Sequence, residues 1–209
     1  MAVRAPDVFI YKGVGACTGC PEAPHDLAVE LGMNVRYVDS SSMNLKALSQ
    51  AKVWIQPGGE ALDVLTTVNT THMRSLREWI SRGGSYIGLC AGAFLADSTV
   101  DDANTIAGIG LIPGTTYDYL PTKESTVLPI SWANRVQMMY FQAGPAFRIK
   151  PGYEQSVQVL ARYPNGTPAA IQFRYGKGKV ILSGPHPEAT PDWFTIDGLQ
   201  PPHDWDQEM

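Results

Sequence analysis

The sequence predicts an α/β fold with a central, mostly parallel sheet and a β-rich C-terminal half. Three observations lead there. In the first half, short apolar runs alternate with stretches of helical period. In the second half, short β-type runs are separated by turn residues. Composition is that of an ordinary globular chain, 44% hydrophobic and 17% charged, with no low-complexity run despite 20 Gly and 16 Pro. Strands followed by helices of this length imply parallel pairing through right-handed crossovers.

Taken in order, residues 7–12 form a short buried strand on Val8-Phe9-Ile10-Tyr11. A Gly/Cys/Pro-rich loop over 13–24 precedes a helix at 25–32, with Gly32 in the C′ position. Residues 35–38 make a second strand, 45–49 a short helix, and 51–56 a third strand ended by Pro57-Gly58-Gly59. Helical period returns over 60–68 and more strongly over 71–81, where Met73, Leu76, Trp79 and Ile80 share a face. Arg82-Gly83-Gly84 stops that helix. Residues 85–89 form a fourth strand that runs into Cys90-Ala91-Gly92-Ala93-Phe94-Leu95-Ala96, a helix start. The later runs are 126–132, 136–142, 157–163, 169–175 and 179–183, the last two joined by the hairpin signal Tyr175-Gly176-Lys177-Gly178-Lys179. With no internal repeat and no dividing linker, the 209 residues are expected to form one domain, a size that buries roughly 70% of the unfolded surface.

The net charge of −4, without a Lys/Arg cluster, argues against nucleic acid as a partner. No apolar stretch reaches the length of a membrane span. The first residues enter Val8-Phe9-Ile10-Tyr11 without a signal-peptide core, so a cytoplasmic location and no membrane partner are expected. Three cysteines make no disulfide framework. Neither a cofactor nor a metal is expected.

Ile87-Gly88-Leu89-Cys90-Ala91-Gly92 matches a nucleophile elbow with Cys in place of Ser. The sulfur of Cys90 would project at the carboxyl edge of the sheet, where open α/β sheets bind ligands. A helix N-terminus beside it favours thiolate over thiol. The bland alternative is a buried structural cysteine. The apolar strand before, the small residues around and the helix after outweigh it.

Of the four histidines, His25 opens a helix, His72 lies on an exposed helix start and His203 sits in a polar tail. His186 follows an apolar strand in Val180-Ile181-Leu182-Ser183-Gly184-Pro185-His186-Pro187-Glu188. If that strand joins the sheet, His186 emerges at the edge where Cys90 does. Glu188 can then fix the imidazole tautomer. An isolated His-x-Glu is more often a loop histidine beside a solvated carboxylate; the elbow tips the balance toward a triad. An oxyanion hole needs backbone donors, for which Ala91, after the nucleophile, and Gly59, in the Gly-rich turn ending the neighbouring strand, are the candidates.

Gln56-Pro57-Gly58-Gly59, Gly88-Leu89-Cys90-Ala91-Gly92-Ala93 and Ser183-Gly184-Pro185-His186-Pro187-Glu188, in this order, resemble the class I glutamine-amidotransferase-like superfamily. Within it the chain is most similar to the N-terminal domain of fungal biotin–protein ligases and the bacterial proteins related to it. Leu160-Ala161-Arg162-Tyr163, Ala169-Ala170-Ile171 and Gly176-Lys177-Gly178-Lys179-Val180 extend the likeness over nearly the whole chain. The resemblance implies a flavodoxin-like three-layer sandwich and a Cys-His-Glu triad at Cys90, His186 and Glu188. Where glutaminases of the superfamily continue Gly-x-Cys-x-Gly-x-Gln, this chain has Phe94, which speaks against ordinary glutamine hydrolysis. No segment resembles the Gly-Arg-Gly-rich biotin-activating loop, so biotin transfer is not implied.

Cys17 and Cys20 form a Cys-x-x-Cys pair in the loop after the first strand, on the same edge as Cys90. Three readings stand: a stapling or redox disulfide, a zinc site with His25 that lacks a fourth ligand, or two ordinary loop thiols. Asp39-Ser40-Ser41-Ser42 is a weaker ligand candidate, Tyr117, Asp118 and Tyr119 are candidates for a pocket wall, and Asn69 and Asn165 begin glycosylation sequons. Three functions follow. One is a cysteine-nucleophile hydrolase or amidotransferase-like enzyme acting on an amide, ester or thioester of a small-molecule or peptide-like substrate. The second is a non-catalytic ligand-binding or regulatory module, and the third a redox-responsive protein using Cys90 with Cys17 and Cys20. A homodimer stays open.

Overall fold

Apolar runs too short for helices become strands here, and the central ones, such as 8–11 and 53–56, are largely buried. The computed structural model describes residues 7–101 and 103–202. One nine-stranded mixed sheet holds β1 (Val8–Tyr11), β2 (Val35–Val38), β3 (Val53–Gln56), β4 (Ser85–Leu89), β6 (Ser125–Trp132), β7 (Arg135–Gln142), β9 (Val157–Arg162), β10 (Pro168–Tyr175) and β11 (Gly178–Ser183); β5 (Gly114–Asp118) and β8 (Pro145–Ile149) pair separately. The order is β2-β1-β3-β4-β11-β10-β9-β6-β7. Every pairing from β2 across to β11 is parallel, and every pairing from β11 to β7 is antiparallel. The parallel core and β-rich second half are both as the sequence predicts.

Strand periodicity divides the core into two faces. Phe9, Tyr11, Trp54, Tyr86, Val180 and Leu182 pack with Met73, Leu76, Trp79 and Ile80 of α4 (Thr70–Ser81) and with Ala93 and Leu95 of α5 (Ala91–Leu95). Val8, Ile10, Ile55 and Leu89 pack with Ala28 of α1 (Glu22–Glu30) on the other. Helices on both faces make the α/β/α sandwich. The antiparallel end has its own cluster around Phe141, Tyr163 and Ile130.

Local chemistry sets several boundaries. Asn69 caps α4 by accepting from the Thr71 and His72 amides, and His72 Nδ1 accepts from the Asn69 amide, closing a capping box. His72 is thereby a capping residue. Ala133 and Asn134 both have positive φ, as a two-residue hairpin loop between β6 and β7 demands. Helix α1 begins at Glu22 rather than at 25, because Pro24 falls in the first turn, where its missing N–H removes no bond. The helix expected over 60–68 is only α3 (Ala61–Val64), followed by turns such as Thr66 N–H to the Asp63 carbonyl. Strand β3 starts at Val53, two residues late, while α2 (Leu45–Leu48) falls where expected. Strands β5 and β8 and helix α6 (Pro191–Ile196) carry no clear period in the sequence: β5 is half-exposed throughout, β8 begins with Pro, and α6 has six residues.

Candidate active site

Strand β4 delivers Cys90 and strand β11 delivers His186 to one edge. The two strands are parallel neighbours, with Leu89 opposite Ser183. The Cys90 N–H donates to the Ser183 carbonyl at 2.9 Å, so the ladder continues one residue into the turn. There the chain bends sharply: Cys90 has φ 49° and ψ −105°. For a non-glycine residue such a conformation costs on the order of 1–3 kcal/mol and persists only where the surroundings enforce it. Enforcement comes from close packing. A Cβ on Gly92 would stand 2.1 Å from the Gln56 carbonyl oxygen, so only glycine lets α5 approach β3 this closely. Helix α5 ends after five residues, so the elbow, more than a long helix dipole, positions the sulfur.

His186 is held from several sides. Its N–H donates to the Tyr140 carbonyl at 3.0 Å, and its own carbonyl accepts from the Ala189 amide at 3.2 Å. The ring meets Tyr140 and Trp193 edge-on, with centroids 5.7 and 5.2 Å away. Its Nδ1 lies 2.8 Å from Glu188 Oε1. His186 and Glu188 are 4% and 5% exposed. The second carboxylate oxygen, Oε2, is buried without a hydrogen-bond partner. Burial pulls the imidazole toward its neutral form, but the Glu188 charge, with hydrogen bonds to Cys90 and Glu188, outweighs it; the ring is pushed up to about 10. A charged, oriented imidazolium beside the Cys90 sulfur is the result.

Cys90 is 7% exposed and is the free cysteine among the described residues. Its Sγ donates to the Gln142 carbonyl at 3.4 Å. Tyr140 is raised to about 12, mainly by burial and then by its bond to Asp197, with the Cys90 charge a smaller cause. Burial, then Cys90, raises Tyr163 as well. Tyr119, named as a wall candidate, stacks on Tyr163 at 3.6 Å. Tyr117 instead lies under the Arg148 guanidinium, 5.1 Å from it.

Gly58 sits at the centre of this group. A Cβ there would be 2.8 Å from His186 Cε1, 3.2 Å from Cys20 Sγ and 3.7 Å from Cys90 Cβ. Cys17 and Cys20 are joined as a disulfide, with Cα atoms 5.3 Å apart. His25, the third zinc ligand in one reading of the pair, bonds Asp26 and stacks on Tyr37. The disulfide loop is sewn to the Pro57-Gly58-Gly59 turn: Cys17 N–H donates to the Gly58 carbonyl at 3.2 Å, Glu60 N–H to the Gly15 carbonyl at 2.8 Å, and Ala16 bridges Gly59. Asp39-Ser40-Ser41-Ser42 folds on itself, with Asp39 accepting from Ser41. His203 lies outside the described residues.

The structure thus brings Cys90, His186, Glu188 and the Gly58-Gly59 turn together, and adds the Cys17–Cys20 disulfide. Tyr140, Gln142 and Trp193 went unnoticed in the sequence. Tyr140 and Gln142 sit in a run that reads as ordinary strand, and their contacts to His186 and Cys90 are made across the fold. No helix among the described residues is long and apolar enough to cross a membrane.

Comparison with known proteins agrees with this architecture. The family model described as "Biotin-protein ligase, N terminal" matches residues 6–105 and 114–205. A biotin–protein ligase of Schizosaccharomyces pombe is 28% identical over 210 residues, covering 87% of this chain and 33% of that protein. An uncharacterized protein of Chlamydia muridarum is 28% identical over 160 residues, covering 67% of this chain and 61% of its own. The chain therefore spans a third of the fungal ligase and under two thirds of the chlamydial protein. Among solved structures, a glutamine amidotransferase superposes with a TM-score of 0.69 at 21% identity, covering 92% of this chain and all of that one. A second glutamine amidotransferase, from Thermotoga maritima, gives 0.58 at 12% identity, covering 91% and 80%. Matched over nearly all its length, the chain belongs to the biotin–protein ligase N-terminal family, with the α/β fold of the glutamine amidotransferases.

Proposed function

We propose that this protein is a cysteine-dependent acyl-transfer enzyme, a hydrolase or amidotransferase-like catalyst acting on an amide, ester or thioester. The observation that carries the reading is the buried His186–Glu188 pair, at 2.8 Å, beside a free thiol on a strained elbow. Cys90 is the nucleophile, His186 the acid–base group and Glu188 its orienter.

In the first step the Cys90 thiolate, paired with the His186 imidazolium, attacks the substrate carbonyl carbon. The carbonyl π pair moves onto oxygen, where the Ala91 and Gly59 amides stabilise it. The Gly58 carbonyl is tied to Cys17 N–H. Because carbonyl and N–H point oppositely across a trans peptide, the Gly59 N–H is aimed away from the disulfide loop. Collapse of the tetrahedral species expels the leaving group, which takes its proton from His186. Water, deprotonated by His186, then cleaves the acyl-thioester and frees Cys90. The substrate is a small molecule or a peptide-like chain. Phe94 stands where glutaminases place the glutamine-binding Gln, so glutamine is not the substrate proposed.

Three observations favour a second reading, a regulatory or ligand-binding module of the same fold. Phe94 combines with a site so enclosed that Cys90 and His186 are 7% and 4% exposed, and the fungal relative is a ligase three times as long. Carbonyl-directed electrophiles separate the two. The enzyme reading expects Cys90 to be labelled faster than free cysteine and turnover to vanish in Cys90→Ser. Labelling at the rate of free cysteine favours the binding module.

A further inference from the structure

The site holds a third sulfur that acyl transfer does not use. Cys20 is 3% exposed, and its Sγ and the Cys90 Cβ both lie within 4 Å of one point, the position a Gly58 side chain would occupy. Because residue 58 is glycine, no side chain separates the disulfide from the thiol there. The partner sulfur has a different environment. Cys17 is partly exposed and lines a cavity of about 330 Å³ with Lys12, Thr18, Gly19 and Glu22. The disulfide thus has an inward sulfur beside Cys90 and an outward sulfur beside solvent. The loop carrying it is held by the Cys17–Gly58 and Glu60–Gly15 bonds, and Trp193 packs against Gly19 on one side and His186 on the other.

We infer that Cys90 and the Cys17–Cys20 disulfide form an internal thiol–disulfide relay. The Cys90 thiolate, paired with the His186 imidazolium, makes a new bond to Cys20 Sγ with its electron pair. The Cys17–Cys20 bond breaks, and Cys17 leaves with its electron pair as a thiolate facing the cavity. One disulfide replaces another, so no outside oxidant or reductant is consumed. Exchange of this kind needs a thiolate, access to the attacked sulfur and a leaving sulfur that can depart; His186 beside Cys90, the side-chain-free position 58 and the partly exposed Cys17 are what the site offers toward them. In the exchanged form Cys90 is withheld from carbonyl chemistry while Cys17 becomes a reactive thiol at the surface, and the reverse attack by Cys17 restores it. The inference rests on Cys90 being the reactive thiol proposed above. Its readout is connectivity, not turnover, so either reading can fail alone.

The test has two arms. Native wild-type protein, without reductant, is incubated with iodoacetamide, quenched in acid, digested and mapped by non-reducing mass spectrometry. The relay predicts carbamidomethylated Cys17 with Cys20 linked to Cys90, and Cys17 labelling at least about tenfold lower in Cys90→Ser. In the second arm Cys17→Ser, checked for folding by circular dichroism, is oxidised with diamide and forms an intramolecular Cys20–Cys90 bridge. A Cys20–Cys90 peptide in either arm supports the relay. Its absence from both, with wild type alkylated at Cys90 alone and the Cys17–Cys20 bond intact, overturns it. Acyl turnover without that peptide sinks the relay alone; the peptide without turnover sinks the acyl reading alone.

Discussion

His186 Nδ1 stands 2.8 Å from Glu188 Oε1 inside the protein, where neither side chain is more than 5% exposed. A carboxylate in such surroundings is tolerable because its neighbour is charged, and the imidazole is charged because of the carboxylate. The pair makes folding depend on pH in a specific direction. The folded ring titrates at about 10, above its ordinary 6.5. Its stabilising contribution is therefore complete below 6.5 and is lost as pH rises through about 10. Glu188→Gln removes the charge that sustains this, leaving a weaker neutral bond at a cost of about 1–3 kcal/mol near neutrality. Urea unfolding of both proteins across this range is expected to show the wild-type advantage largest at the acid end and shrinking toward the alkaline end.

Gly58→Ala inserts a methyl group 2.8 Å from His186 Cε1 and 3.2 Å from Cys20 Sγ. Overpacking of this kind costs about 1–3 kcal/mol. The expected outcome is a lower melting temperature with the fold retained, and a larger loss of Cys90 reactivity toward electrophiles than of stability. Thermal melts and labelling rates on one preparation check both.

Tyr140 touches His186 twice, by its carbonyl and by its ring, while its hydroxyl binds Ser125 and Asp197. Tyr140→Phe keeps the backbone bond and the ring contact and removes only the hydroxyl's bonds, leaving Ser125 and Asp197 to each other. A stability loss of about 1 kcal/mol is expected, with Cys90 labelling nearly unchanged. Tyr140→Ala, which removes the ring against His186, Trp193 and Phe194, should cost about 3–5 kcal/mol and slow labelling as well. Chemical denaturation and a labelling time course distinguish the two variants.

Asn69→Ala removes the acceptor for two amides at the start of α4 and half of the capping box. The expected cost is about 1 kcal/mol, measurable as a shift in urea midpoint with an unchanged slope.

The elbow was legible because its requirements are local. An apolar strand, a cysteine and flanking glycines announce a sharp turn, and Gly92, pressed against the Gln56 carbonyl, shows why a larger residue would not fit. His186 was legible for a related reason: it follows an apolar strand and precedes Glu188 by two positions. What brings it to Cys90 is the insertion of β11 beside β4, a pairing between distant segments that no local pattern encodes. Tyr140 and Gln142 were missed for the same reason, since their partners come from β11 and the elbow. The start of α1 was misplaced because Pro24 reads as a breaker when viewed without its position in the first turn. The Cys17–Cys20 spacing serves disulfides, metals and plain loops alike, so sequence does not choose among them; the pinning of Gly15, Ala16 and Cys17 to the Gly58-Gly59 turn comes from contacts across the fold.

An acyl-thioester on Cys90, followed by intact-mass spectrometry during reaction with a panel of activated esters and thioesters, bears most directly on the account. Wild type is expected to gain and then lose the acyl mass on Cys90. His186→Ala should acylate at least about a hundredfold more slowly, and Cys90→Ser should gain no thioester at all. Equal acylation of wild type and His186→Ala, or acylation on surface nucleophiles with Cys90 untouched, would contradict it.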